Sequence, residues 1–273
     1  MAERLSLIAG SGALVPEVIH AALGRGYELQ VLATRSAAGL RGVQTVPLKL
    51  TEPEAAIAAI RSFGATLIAM AGGLQLSDIA REKFARFLGA PGTSSLGDGG
   101  LSTLAARLTE LTGARLVGVQ EIAPDLLAPE GLIGGPEPGD RLREIAAFAL
   151  GLARQAGSLD LGQGVVVAGR RAISVEDIAG TDALLKRVQT YRAFGLVADG
   201  ASPLVLAKAA KPAQPDTIDL PAIGPVTIAK ARRAGVALIA VQAGATILIE
   251  RQKLVAAANA ARIPVLGLCA QDA

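Results

Sequence analysis

The feature that most constrains the fold of this chain is a regular alternation of short apolar runs with longer amphipathic segments. The runs at 4–9, 28–33 and 66–71 are mostly aliphatic, as expected for strands that are buried on both faces. Segments with the length and spacing of helices separate them, as at 13–25. Because strands that alternate with helices assemble into parallel sheets, residues 1–132 are predicted to form a Rossmann-like, doubly wound parallel sheet.

The second half of the chain predicts a different arrangement. Residues 164–168 and 172–178 are predicted to form a hairpin that turns at Gly169, and a mixture of helices and strands follows. The Gly- and Pro-rich stretch that precedes this half predicts a linker, because these residues interrupt both helices and strands. The prediction is an α/β protein with an N-terminal domain over 1–132, a linker over 133–139 and a C-terminal mixed α/β domain over 140–273.

The composition favours a large aliphatic core and disfavours a membrane span. Apolar residues make up 51% of the 273 residues, aromatic residues make up 3%, and the mean hydropathy is +0.44. No apolar run reaches the roughly 18 residues that a span needs, and no signal peptide is recognised, so a cytoplasmic location is expected. The single cysteine, Cys269, excludes an internal disulfide. A net charge of +3 does not favour nucleic acid, whereas the apolar content leaves an apolar ligand or a membrane-surface contact open.

A glycine turn follows the first predicted strand and opens the first predicted helix. Gly10 and Gly12 would let a phosphate approach the backbone N–H groups at the start of that helix. The third glycine of a dinucleotide fingerprint is replaced by Val15, and Ala33 stands where a ribose-binding acid is expected. The turn therefore predicts a ligand contact but disfavours a nicotinamide cofactor, and a tight turn without a ligand remains the alternative.

Two further loops are predicted at the same edge of the sheet. Gly72 and Gly73 end another strand, and Asp98 lies in a glycine-rich stretch before a helix. Parallel strands end at the same edge, so these residues are expected to line one crevice with Gly12. For Asp98, an N-cap role is as well supported as a ligand contact.

A basic and acidic stretch in the second half suits a phosphate group and a divalent metal. Lys208 and Lys211 precede Asp219, and a Pro/Gly turn and a helix follow. The lysines would offset phosphate charge, while the carboxylate would bind a metal or activate water. A turn acid with two solvated lysines explains the same spacing equally well.

An acidic segment precedes another helix in this half. Glu176 and Asp177 follow a predicted strand, Thr181 is predicted to cap the helix, and Asp182 follows it. Alternation along a strand points Glu176 and Asp177 to opposite faces. Asp177 and Asp182 are candidate metal ligands, since magnesium is commonly held by one or two carboxylates together with substrate phosphates. Capping of the helix explains the same residues without a ligand.

Several stretches together resemble the UDP-2,3-diacylglucosamine pyrophosphatases of the LpxI type. The matching stretches run in order over nearly the whole chain, and they lie at 7–16, 125–131, 160–167, 176–185, 207–212 and 219–224. The C-terminal motifs are the specific ones, with Gly-Thr-Asp at 180–182 and Asp219 intact. The chain departs from the family pattern at Gly73, Gln120 and Thr217.

The resemblance implies hydrolysis of the phosphoanhydride of a UDP-linked diacylglucosamine lipid, with release of UMP, during lipid A synthesis. It implies two linked domains with the substrate between them, a divalent metal such as Mg²⁺, and Asp219 as the catalytic and metal-binding aspartate. The expected substrate contacts are Gly10, Gly12, Gly72, Gly73, Asp98, Gln163, Thr181, Lys208 and Lys211. A peripheral contact with the inner membrane and a homodimer are also expected.

Two other functions remain open at this point. The departures at Gly73 and Thr217 leave room for a protein that binds a nucleotide sugar or lipid without catalysis. A nicotinamide-dependent oxidoreductase is the weaker alternative, because Val15 interrupts the dinucleotide fingerprint.

Overall fold

The computed structural model describes residues 2–33, 43–49, 52–73, 86–87, 89, 106–197, 202–212 and 220–269. The described residues form two compact units, which divide between Asp125 and Leu126. Among the helices of the described ranges, none is long and apolar enough to cross a membrane.

The N-terminal unit is built on a parallel five-stranded sheet. Its strands are β1 (Arg4–Ala9), β2 (Glu28–Ala33), β3 (Gln44–Pro47), β4 (Leu67–Ala71) and β5 (Arg115–Val117). Its helices include α1 (Leu14–Gly24), α2 (Pro53–Phe63) and α3 (Val119–Ile122), with a 3₁₀ turn at Pro124–Leu126 and a helical segment at 106–112. The strand order β3-β2-β1-β4-β5 and the parallel pairing confirm the α/β sheet that the alternating pattern predicts.

The C-terminal unit is built on a mixed six-stranded sheet. Its strands are β6 (Gly131–Gly134), β7 (Gly164–Ala168), β8 (Arg171–Val175), β9 (Leu204–Lys208), β11 (Val236–Gln242) and β13 (Val265–Leu268), and the short pair β10 (Ala222–Ile223) and β12 (Ile247–Leu248) lies apart. The order in the sheet is β6-β13-β11-β9-β7-β8. Its helices include α4 (Asp140–Ser158), α5 (Gly180–Ala193), α6 (Pro225–Ala234) and α7 (Arg251–Ala261). The predicted hairpin is confirmed, since β7 and β8 pair antiparallel and join through Gly169, which has a φ of +57°.

Helices cover both faces of the C-terminal sheet, which explains why its central strands are apolar throughout. Leu206 packs in a core with residues of α5, α6 and α7, while its neighbours Val205 and Ala207 pack in a second core with α4. Side chains that alternate along a strand point to opposite faces, so both faces of β9 are buried. Lys208, the last residue of β9, therefore lies at the carboxyl end of a central strand that is buried on both faces.

Residues 131–134 form strand β6, where the sequence predicts a linker that begins at 133. β6 pairs antiparallel with β13, and a Cβ atom on Gly134 would come within 3.4 Å of Val255 in α7. At Gly135 a Cβ atom would meet the carbonyl oxygen of Ile263, and φ is +82°. These glycines allow close packing of an edge strand, a role that composition does not distinguish from a linker.

Candidate functional site

In the N-terminal unit, the loops after β1 and β4 are joined to each other. The backbone N–H of Ser11 donates to the oxygen of Gly73 at 3.0 Å, and the N–H of Gly73 donates to the oxygen of Ser11 at 2.8 Å. The hydroxyl of Ser11 adds a contact to the same Gly73 oxygen at 3.2 Å. The two glycine loops thus meet at one edge of the sheet, as the ends of parallel strands predict.

Three of the predicted glycines in these loops differ in what their missing side chain allows. A Cβ atom on Gly10 would lie 2.5 Å from the oxygen of Gly73, and one on Gly72 would lie 2.6 Å from the oxygen of Ser11. Gly10 and Gly72 are therefore required by the contact between the loops. Gly12 has a φ of +110° and faces open space, since a Cβ atom there would meet no described atom within 4 Å. Gly12 is thus the position at which a ligand has room to approach.

The helix behind Gly12 begins without a side-chain cap. The N-cap residue of α1 is Ala13, which makes no side-chain hydrogen bond to the helix. Backbone N–H groups in the first turn of a helix attract anions, so this turn suits a phosphate oxygen. Glu17 lies in the same first turn and contributes negative charge there. A role of Gly10, Gly12, Gly72 and Gly73 in substrate contact stays a prediction.

In the C-terminal unit, a buried lysine lies at the end of β9 and contacts two polar side chains. Lys208 is only 4% exposed, and its Nζ donates to the Thr181 hydroxyl at 2.7 Å. The Thr181 hydroxyl in turn donates to Oε1 of Glu176 at 3.0 Å. Oε2 of Glu176 lies 3.5 Å from Nζ of Lys208. We call these three side chains the lysine cluster.

The lysine cluster is assembled by strand register. Lys208 lies opposite Gly164 of β7 and Val241 of β11. The backbone N–H of Glu176, just beyond β8, donates to the oxygen of Gly164 at 2.7 Å. Because β7 runs antiparallel to both β8 and β9, the start of β7 brings Glu176 beside Lys208.

The prediction that Thr181 caps the following helix is wrong. Helix α5 begins at Gly180 with Ala179 at the N-cap, which places Thr181 inside the first turn. Its hydroxyl is engaged with Lys208 and Glu176, so tertiary contacts decide the orientation of this side chain.

Two other predicted substrate contacts lie close to the end of β9. Nζ of Lys211 donates to Oδ1 of Asp160 at 2.6 Å. The Cα atom of Lys211 would lie 3.2 Å from a Cβ atom placed on Gly157. Gln163 is buried, and its backbone oxygen accepts from the N–H of Ala209 at 2.9 Å. Lys211 and Gln163 therefore flank the strand that ends in the buried lysine.

The two predicted metal ligands of this unit are each paired with a basic side chain. Asp177 contacts Nη1 of Arg187 at 2.9 Å, and Asp182 forms an ion pair with Lys230. Within the described ranges, no group of three or more His, Cys, Asp or Glu side chains could hold a metal ion. Metal binding by Asp177 and Asp182 stays a prediction, and Asp98 and Asp219 lie outside the described residues.

The residue that sequence reasoning did not select is Glu176. The sequence predicts that Glu176 and Asp177 alternate along a strand, but β8 ends at Val175. Beyond its end, Glu176 contacts Lys208 and Asp177 contacts Arg187. The Gly-x-Gly spacing at 162–164 could have indicated Glu176, because glycine in a strand often marks a close approach of another group, and here both glycines leave room for that residue.

Comparison with known proteins identifies relatives over the whole chain. The LpxI N-terminal domain matches residues 4–126 and the LpxI C-terminal domain matches residues 129–266. A protein of Caulobacter vibrioides named UDP-2,3-diacylglucosamine pyrophosphatase LpxI is 31% identical, over 98% of this chain and 99% of that protein.

Similarity to solved structures is much weaker. A UDP-glucose-4-epimerase from Stenotrophomonas maltophila shares 8% identity with a TM-score of 0.32, over 97% of this chain and 77% of that one. A GalE-like L-threonine dehydrogenase from Cupriavidus necator shares 11% identity with a TM-score of 0.32, over 92% of this chain and 88% of that one. At this level neither structure supports an argument about fold or function.

Proposed function

The chain belongs to the LpxI family, and from that premise we propose that it hydrolyses the phosphoanhydride bond of UDP-2,3-diacylglucosamine. The products are UMP and 2,3-diacylglucosamine 1-phosphate, and the reaction is a step of lipid A synthesis. The two domain matches and the curated relative support this proposal. It agrees with the order of the motifs along the chain and with the intact Asp219.

The observation that carries the proposal is the buried Lys208. A lysine is almost never this buried unless it is paired or serves a ligand, because removal of an ammonium group from water is costly. Here a hydroxyl and a carboxylate fix the ammonium at the end of a central strand. A fixed cation in a dry environment stabilises negative charge that develops on a phosphoryl group far better than a solvated one does.

In the proposed reaction, the oxygen of a water molecule forms a bond to the sugar-side phosphorus. The bond from that phosphorus to the bridging oxygen breaks, and its electron pair leaves with UMP. Asp219 accepts a proton from the attacking water. Lys208 and Lys211 bind the phosphate oxygens, and the Thr181 hydroxyl accepts a hydrogen bond from Lys208 and so fixes its ammonium group. Within the N-terminal unit, the Gly12 turn is proposed as a backbone N–H contact for phosphate.

We also propose a divalent metal, with Mg²⁺ as the first candidate. When bound, it would offset phosphate charge and polarise the phosphoryl oxygen. The described carboxylates offer no preformed cluster, since Asp177 and Asp182 are paired with basic side chains. Mg²⁺ suits such a site, because one or two carboxylates with substrate phosphates suffice, and Asp219 is the proposed protein ligand.

The test is release of UMP by the purified full-length protein from UDP-2,3-diacylglucosamine with Mg²⁺. We expect release that stops with EDTA and returns with excess Mg²⁺, and Asp219→Ala should lose nearly all of it. Full turnover by Asp219→Ala would refute the assigned role. Tight binding of the lipid without turnover under any divalent metal would replace the proposed hydrolase with a binding protein.

A lipid substrate also requires access to a membrane surface, and we propose that the end of β9 faces it. Ile178 is 91% exposed in the loop between β8 and α5, and Val226 is 59% exposed in the first turn of α6. The ion pair between Asp182 and Lys230 links these two helices. Apolar side chains beside a lipid-processing site can insert into the bilayer boundary.

Flotation with vesicles of anionic phospholipid tests this surface. Ile178→Ser with Val226→Ser should lower the bound fraction, whereas Leu196→Ser, which follows the other end of α5, serves as the control. Equal binding by all three proteins would contradict the proposed surface.

A further inference from the structure

The carboxylate of Glu176 contacts both other members of the lysine cluster, and nothing above gives it a role in the reaction. We infer that Glu176 is the positioning residue of the site: it orients the Thr181 hydroxyl and holds the Lys208 ammonium towards the phosphates. The inference deepens the proposed function and rests on it.

Chemistry fixes the direction of each hydrogen bond in the cluster. An ammonium group can only donate, and an ionised carboxylate can only accept. Lys208 therefore donates to Thr181, and Thr181 must give its single proton to Glu176. The Thr181 hydroxyl consequently presents a lone pair, never its proton, to Lys208. Without Glu176 that hydroxyl could rotate, and the lysine would lose its oriented acceptor.

Burial makes the charge balance of the cluster matter. The side chain of Lys208 is 5% exposed and that of Glu176 is 12% exposed. Charges this deep in a protein are stabilised by a partner, and loss of one partner leaves the other uncompensated. Apart from the 3.5 Å approach of Lys208, Oε2 of Glu176 has no hydrogen-bond partner among the described residues. Among the described residues, this oxygen therefore interacts with Lys208.

The backbone around Glu176 is built to admit this carboxylate. A Cβ atom on Gly164 would lie 2.3 Å from Oε2 of Glu176, and one on Gly162 would lie 2.3 Å from its backbone oxygen. No larger residue fits at either position without displacing Glu176. Two glycines at the start of β7 thus hold the carboxylate in a place from which it reaches both Thr181 and Lys208.

The neighbouring carboxylate provides an internal contrast. The side chain of Asp177 is 54% exposed, and its partner is Arg187. A solvated pair of this kind contributes little, because water screens the attraction. The two consecutive acids therefore differ in role, and Glu176 is the one that contacts a predicted phosphate-binding residue.

The first test is Glu176→Gln, which keeps the shape of the side chain but removes its charge. We expect kcat to fall roughly 10- to 100-fold with a smaller change in KM, since misplaced catalytic groups typically lose rate on that scale. Thr181→Ser should retain activity, and Thr181→Val should lose it. Glu110→Gln, which removes an exposed partner of Arg107, is the matched control and should behave as wild type.

The decisive test is the same substitution in a Lys208→Met background. Without the ammonium, Glu176 would be a buried negative charge that repels the substrate phosphates. Glu176→Gln should therefore raise the activity of Lys208→Met several-fold, the opposite of its effect on wild type. A merely structural carboxylate would lower activity in both backgrounds, and that result would overturn the inference.

Binding of UDP-2,3-diacylglucosamine in EDTA separates failure of this inference from failure of the proposed function. Opposite effects of Glu176→Gln on affinity in the two backgrounds, together with no turnover by the wild type in Mg²⁺, would support the positioning role and refute hydrolysis. Turnover with equal losses in both backgrounds would refute the positioning role alone. If Glu176→Gln does not fold, as judged by thermal melting, Glu176→Asp takes its place; it keeps the charge but withdraws it from Thr181. It should lose kcat, and wild-type kcat would overturn the inference.

Discussion

The two units of this protein offer candidate phosphate-binding features of opposite kinds. The glycine loops of the N-terminal unit would use uncharged backbone N–H groups and open space at Gly12. The C-terminal unit offers a buried ammonium that is held by Thr181 and Glu176. A backbone site needs no charge balance. A buried lysine needs its charge balanced by other residues. Substitutions at the glycine loops should therefore act through backbone geometry, whereas those around Lys208 should act through charge.

Among substitutions that compare the two units, the largest expected effect comes from removal of the charge at Lys208. Lys208→Met should lower kcat/KM about 10²- to 10³-fold, the range typical for loss of one group that stabilises developing charge. Lys208→Arg should not restore it, because a planar guanidinium does not fit the position of a compact ammonium. Steady-state kinetics on folded variants checks this prediction. A loss of less than threefold would mean that the buried lysine has only a structural role.

The next effect distinguishes the two kinds of glycine in the N-terminal loops. Alanine at either Gly12 or Gly72 costs about 1–2 kcal/mol, because both residues have positive φ. Gly72→Ala also meets the oxygen of Ser11 and the Val15 side chain, whereas Gly12→Ala meets no described atom. Gly72→Ala should therefore lower the thermal midpoint more than Gly12→Ala does. For an equal loss of thermal midpoint, Gly12→Ala should weaken substrate binding more.

A control for this pair is Gly26→Ala, just after α1. Gly26 has a φ of +79°, and a Cβ atom there would meet no described atom within 4 Å. The substitution should reproduce the backbone cost without any effect on KM. An equal rise in KM for Gly12→Ala and Gly26→Ala would remove the reason to place substrate at Gly12.

The smallest expected effect is at Lys211, the less buried lysine. Its side chain is 15% exposed and is paired with Asp160. Lys211→Ala should raise KM a few-fold with little change in kcat, since partial solvation weakens its field at the phosphates. Kinetics at two salt concentrations checks the assignment, because added salt should lessen this effect more than that of Lys208→Met.

The sequence was sufficient for the elements whose local signals agree with tertiary packing. The strands β1, β2 and β9 are aliphatic runs that are buried on both faces, and Pro225 and Gly235 bound α6 as their backbone preferences require. The parallel arrangement of β1 and β2 followed from the alternation of strands and helices in the N-terminal half.

Local signals failed where a contact with a distant residue decides the outcome. A threonine before a helix predicts a cap, but Lys208, which is 27 positions away, engages the Thr181 hydroxyl instead. The predicted linker begins at 133, whereas residues 131–134 form strand β6 and pair with β13. The proximity of Glu176 to Lys208 depends on the register of three strands, which no local pattern encodes.

The most direct test of hydrolysis at the sugar-side phosphorus is turnover of UDP-2,3-diacylglucosamine in water enriched in ¹⁸O, followed by mass spectrometry of both products. The account predicts one ¹⁸O atom in 2,3-diacylglucosamine 1-phosphate and none in UMP. Label in UMP, or the absence of UMP with a fully folded protein and Mg²⁺, would contradict it.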